Sequence, residues 1–139
     1  MDGVAISAVE FASGERFVAL RRALGVSTFG INAVRLEAGQ RGRIHRHGRQ
    51  EEVYLVLEGA LTLCVEQKEF ELGPMEAARV APELRRQLVN YTSEPLIVLA
   101  LGGAEPHHGR DGEAFGDWTD AVGASPQEVP LPDDVSPRA

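Results

Sequence analysis

From Arg16 to Leu101 the chain is a succession of short apolar runs, broken every 8–12 residues or so by glycine, proline or clustered polar residues. Nowhere do apolar residues recur at helical spacing over three turns, and no solenoid-length repeat is present. Punctuation at this interval is what an all-β sandwich or barrel needs, since each strand must stop and reverse before the next begins. Ser27 to Glu37 alternates imperfectly through Phe29, Ile31, Val34 and Leu36, and Gly42 to His47 alternates as well. Glu51 to Leu57 contains the unbroken run Val53, Tyr54, Leu55, Val56, Leu57, which suits a strand buried on both faces. Gly59 marks a turn. Further strands are expected over Leu61–Val65, Lys68–Leu72 (ended by Gly73-Pro74), Glu76–Val80, Arg86–Asn90 and Leu96–Leu101. Arg16–Leu20 adds a short strand, and Leu20–Leu24 a helical turn stopped by Gly25.

A chain of 139 residues fits one domain, because two would each be marginal. Its charge is uneven. Up to Leu101, 12 basic and 13 acidic side chains nearly cancel, whereas from residue 102 onward 2 basic face 8 acidic. The stretch from Ala121 adds four prolines and reads as a flexible acidic tail. Before it, Phe115 and Trp118 can pin the segment Asp111–Trp118 to the body. A net-negative chain with eight aromatics is a poor nucleic-acid binder. No apolar run approaches the ~20 residues of a membrane span, and no signal peptide is visible at the N-terminus. The single cysteine, Cys64, excludes an internal disulfide and a multi-cysteine zinc site. It reads as a buried, inert side chain, and the chain is expected in the cytoplasm.

His45 and His47 sit two apart on an expected strand, so both imidazoles face one side. Glu51 and Glu52 open the next strand. Two imidazoles and one carboxylate converging on a point make a facial triad suited to iron, manganese, nickel, copper or zinc, with coordination positions left open. The alternative is a solvated face beside Arg43, Arg46 and Arg49.

Residues 39–59 read GQRGRIHRHGRQEEVYLVLEG: Gly39, five residues, His45-x-His47, four residues, Glu52, six residues, Gly59. This resembles the first motif of the cupin superfamily, with every fixed position filled. The resemblance extends over residues 26–101 and implies an all-β double-stranded β-helix, the cupin jelly-roll barrel, with its ligand in the barrel. On that basis residues 1–25 form an N-terminal edge strand and turn, 26–104 the barrel, 105–120 a loop segment packed on it, and 121–139 the tail. The family's metal ligands fall on His45, His47 and Glu52. The second motif region keeps Gly73, Pro82 and Asn90, but the histidine expected four residues before the asparagine is Arg86. A guanidinium has no lone pair to donate and stays charged, so the fourth ligand is absent. Three readings stand: Arg86 grips an anionic substrate beside a three-ligand metal; it pairs with Glu52 or Glu51 in a metal-free pocket; or it points outward.

Tyr54 shares the parity of Glu52 and can line the cavity. Arg43 shares that of the two histidines and can reach the pocket rim. Four arginines within nine residues (Arg41, Arg43, Arg46, Arg49) can attract an anion or the protein's own acidic tail. His107 and His108 read as an exposed loop pair, or as an added ligand if that loop crosses the barrel mouth. The expected function is therefore that of a small cupin binding a small anionic molecule. With a divalent metal it would be an oxygenase, isomerase or cyclase; without one, a binding or sensing module. A homodimer is expected, with no nucleic-acid or membrane partner.

Overall fold

A computed structural model of the chain describes residues 1–103 and 111–138. Ten strands follow in order: β1 Phe17–Ala19, β2 Gly30–Leu36, β3 Ile44–His47, β4 Glu51–Glu58, β5 Leu61–Val65, β6 Lys68–Leu72, β7 Ala77–Val80, β8 Arg86–Val89, β9 Leu96–Gly103 and β10 Gly112–Phe115. One helical turn, α1 (Leu20–Leu24), lies between β1 and β2 and stops at Gly25, whose left-handed backbone returns an N–H to the Arg21 carbonyl.

The strands form two five-stranded antiparallel sheets, ordered β1-β2-β9-β4-β7 and β10-β3-β8-β5-β6, facing each other as a jelly roll. Side chains alternate along each strand, so each sheet sends one set inward. Leu36, Val56, Leu61, Leu63, Leu96 and Val98 meet there, each almost wholly buried. Burying one such side chain is worth about 1.5–3 kcal/mol, and this shared core holds the two halves of the site in place.

The run Val53–Leu57 is not buried on both faces. Tyr54 and Val56 are buried, whereas Val53 and Leu57 lie on the outer face and are 36% and 45% exposed. In this antiparallel sheet the outer face is not covered by the chain's own helices, unlike the two-sided burial of parallel sheets. The segment expected as a loop after residue 104 supplies the tenth strand. β10 pairs with the open edge of β3, Phe115 opposite Ile44, and Phe115 is 2% exposed. Its sequence, GEAF, has little intrinsic strand preference; the free edge of β3 decides the matter.

The stretch read as a flexible tail is laid against the barrel as far as Arg138. Ala124 bridges Ala114, a single 3-10 turn spans Pro126–Glu128, and Val129 is 8% exposed. Val135 donates its N–H to the Gly39 carbonyl at 2.8 Å. Gly39 has φ +77°, and a Cβ there would lie 2.2 Å from the Val135 carbonyl oxygen, so this contact requires glycine. Arg138 then closes on Glu69 at 2.7 and 2.9 Å and stacks over the Tyr91 ring at 3.6 Å. This strap is held mainly by backbone groups and prolines, which carry no periodic signal. Among the described residues, no helix is long and apolar enough to cross a membrane.

Candidate metal centre

The site is built across the gap between the sheets. β3 brings His45 and His47 from one sheet, and β4 brings Glu52 and Tyr54 from the other. Arg86 on β8 stands directly opposite His45 in register, so the two share a face. Glu52 pairs with Gly102 on β9, where a Cβ would approach Gln50 Oε1 to 2.8 Å and Glu52 Cγ to 3.5 Å. Glycine there leaves room for the carboxylate.

Glu52 is the inward residue of its pair. Its side chain is 12% exposed, while Glu51 lies outside and pairs with Arg79 at 2.6 Å. Glu52 Oε1 lies 3.2 Å from His45 Nε2 and 3.1 Å from His47 Nε2, and it accepts a hydrogen bond from the Tyr54 hydroxyl. Both rings are fixed from behind. His45 Nδ1 donates to the Arg43 carbonyl at 3.1 Å, and His47 Nδ1 donates to Asp111 Oδ1 at 2.8 Å. With Nδ1 carrying the proton, a neutral imidazole keeps its Nε2 lone pair for a cation seated between the rings and Glu52, and a protonated ring donates Nε2–H to Glu52 instead.

Asp111 is the functional residue that the sequence reading passes over. It lies just ahead of β10 and also accepts the backbone N–H groups of Arg49 and Gln50 at 2.8 and 2.9 Å, and Gln50 Nε2 at 2.8 Å. A histidine whose far nitrogen is held by a carboxylate is the usual supporting arrangement behind a metal ligand. No local motif marks Asp111.

The electrostatics follow from these contacts. Burial alone would raise the Glu52 pKa, but the two histidines outweigh it and hold the carboxyl well below its usual value. Burial likewise opposes charging of His47, yet Glu52 and Asp111 prevail and raise its pKa above 6.5. Burial, reinforced by the Glu52 charge, pushes the Tyr54 phenol well above 10, so it stays protonated and remains a donor. Burial works against the charge of Asp111, and the Arg49 and Gln50 amides with His47 bring its pKa down.

The donor set fits a metal ion. The three ligand atoms lie within 4.8 Å of one another. Ligands about 2.1 Å from an ion and at right angles are about 3 Å apart, close to the two nitrogen–oxygen distances here. Moreover, His47 Nε2 is buried and makes no hydrogen bond among the described residues, which leaves it available to a metal ion beside Glu52.

Arg86 is wholly buried and points inward, which removes the outward reading. Its Nη2 donates to the Ala81 carbonyl at 2.6 Å, Nη1 lies 3.7 Å from Glu52 Oε1, and neither Nη1 nor Nε has a hydrogen-bond partner among the described residues. Tyr54 is likewise inside, but its hydroxyl serves Glu52. Arg43 does not reach the site. β3 begins at Ile44, so Arg43 escapes the strand's parity, and its Nε donates to the Val129 carbonyl of the strap at 2.7 Å. Only its backbone oxygen serves His45. Cys64 is buried, as expected, and burial raises its thiol pKa. His107 and His108 lie outside the described residues.

A jelly roll with an inward His-x-His, a facing glutamate and buried supporting contacts defines a class of small β-barrel proteins with a metal-capable interior. The cupin domain family model matches residues 32–102, and the chain belongs to the cupin family. A cupin protein from Bacteroides fragilis is similar at 22% identity and TM-score 0.66, covering 75% of this chain and 86% of its own. A structure described as a sugar phosphate isomerase of the cupin superfamily, from Silicibacter pomeroyi, is 31% identical, with TM-score 0.61 and coverage of 84% and 79%. KdgF from a Halomonas species shares 17% identity at TM-score 0.61, covering 78% of this chain and 97% of that one. A search of curated proteins found no match.

Proposed function

We propose that this protein is a small metal-dependent cupin enzyme that binds a small anionic molecule inside its barrel, with a divalent transition metal held by His45, His47 and Glu52. The observation that carries the reading is the convergence of two imidazole nitrogens on Glu52 Oε1, each ring anchored from behind. Iron, manganese, nickel, zinc or copper would each suit the donor set and would supply Lewis acidity toward a substrate oxygen.

The chain's own residues account for the anionic preference. Glu52 and Asp111 are negative and Arg86 is positive, so a divalent ion leaves the cluster with one net positive charge for a substrate to balance. Arg86 holds two buried nitrogens, Nε and Nη1, without hydrogen-bond partners among the described residues, and a guanidinium binds carboxylates and phosphates through such donors. Tyr54 stays protonated and steadies Glu52. Oxygenase, isomerase and cyclase chemistry all suit such a centre. The description of the Silicibacter relative supports the isomerase type, acting on a phosphorylated sugar.

A second reading is a metal-free binding or sensing cupin. It is supported by the 3.7 Å approach of Arg86 Nη1 to Glu52 Oε1, which partly compensates the carboxylate without any ion. Two variants separate them. In the metal reading His45→Ala removes bound metal and lowers the Tm of the protein as purified, while Arg86→Ala keeps the metal and raises KM for the anion. In the metal-free reading His45→Ala leaves the metal content at zero and costs only its contact with Glu52, and Arg86→Ala strands Glu52 at a cost of about 3–5 kcal/mol.

A further inference from the structure

The strap reaches the arginines of the 41–49 group through its backbone rather than through its acids. Arg41 Nε donates to the Asp133 carbonyl and Arg43 Nε to the Val129 carbonyl, each at 2.7 Å. A carbonyl satisfies a donor but leaves the charge unneutralised. Among the described residues neither guanidinium has a carboxylate within 4.0 Å, whereas Arg46 has Glu113 at 3.4 Å. Two uncompensated positive charges thus sit side by side under the strap, on the outer face of the second sheet.

Between those contacts the strap leaves a cleft of about 100 Å³. Arg41 and Arg43 line it with Gln87, Phe115, Trp118 and Asp117. Gln87 is 3% exposed and fixed by its own bond to the Gly42 carbonyl, and Phe115 is 2% exposed, so this wall is preformed. Arg46 and Arg85 flank the Phe115 ring at 5.2 and 5.1 Å, each with a carboxylate of its own, Glu113 at 3.4 Å and Glu66 at 3.6 Å, so the uncompensated charge is that of Arg41 and Arg43. Asp117 is the one carboxylate among the described lining residues, which together carry a net charge of one positive. The volume is that of about three waters, the size of one tetrahedral oxyanion.

We propose that this cleft is a small-oxyanion site, separate from the barrel interior, in which Arg41 and Arg43 grip a phosphate- or sulfate-sized anion beneath the strap. Their Nε groups are spent on the strap, which orients each planar guanidinium and leaves its terminal Nη donors for the anion. Occupancy by an anion ties the strap to the sheet from both sides.

Trp118 is the only tryptophan, so its emission reports on this cleft alone. The test titrates inorganic phosphate into the full-length protein at constant ionic strength, with chloride as the control. The expected result is a saturable change in Trp118 emission, weakened at least tenfold in Arg41→Gln, lost in Arg41→Gln/Arg43→Gln and partly kept in Arg41→Lys. It persists after chelation of any metal, which separates it from the barrel reading. Should the ligand-free double variant show altered emission, the strap has shifted and the comparison of Arg41→Gln with Arg41→Lys decides. No saturable change up to about 10 mM phosphate, a response undiminished by Arg41→Gln, or one lost on chelation would overturn the proposal.

Discussion

His47 Nδ1 and Asp111 Oδ1 lie 2.8 Å apart although 64 positions separate them in the chain. The contact fixes the tautomer in which neutral His47 keeps its Nε2 lone pair free for a metal ion beside Glu52. Asp111→Asn keeps an acceptor for the Arg49 and Gln50 amides but removes the charge. We expect metal affinity to fall about 10–100-fold with the fold intact, the usual consequence of losing such support. Competition with a chromophoric chelator measures it; unchanged affinity would show that Asp111 does not orient the ligand.

The metal-free protein should have a defined pH window. Glu52 and Asp111 titrate below their unfolded values, so their contribution is present above about pH 4 and is lost as pH falls through the folded values. The His47 pKa is raised, so its contribution is fully present below 6.5 and is lost as pH rises through its folded value. With chelator present, Tm should therefore peak in the mildly acidic range and decline toward pH 8, and His47→Gln should flatten that decline. Added metal should reverse the slope, since the metal needs neutral imidazole.

The strap contributes to stability. Losing the Val129 burial and its backbone bonds should cost about 2 kcal/mol, or roughly 6–8 °C in Tm, when residues 121–139 are deleted. Gly39→Ala should dislodge the same strap, because its Cβ would collide with Val135. In the truncated chain Gly39→Ala should cost only the backbone strain, so the two effects fall short of adding. A change below about 1 °C on truncation would place the strap outside the folding unit.

What the sequence made legible was local. The spacing from Gly39 to Gly59 lies within β3, β4 and their turns, and strand parity alone puts His45 and His47 on one face. The resemblance to the cupin motif, through its six-residue spacing to Gly59, implies Glu52 over Glu51, and the structure places Glu52 inside. Parity failed for Arg43 because β3 starts one residue later, which frees its side chain to turn outward. Asp111 and the strap were illegible for one shared reason. Their partners, His47, Gly39, Arg41 and Arg43, are distant in sequence, and pairing to backbone groups leaves no pattern in side-chain chemistry.

Arg86→His tests the odd residue of the second motif. It places an imidazole opposite His45 and should tighten metal binding at least tenfold, measured by chelator competition, while weakening the affinity for anionic ligands. No gain in metal affinity would show that the strand β8 position does not address the centre.

The most direct test of the metal centre is elemental analysis of the full-length protein purified without a polyhistidine tag. About one equivalent of a divalent transition metal per chain is expected, lost in His47→Ala. Less than about 0.1 equivalent, with no rise in Tm when metal is added back, would contradict it.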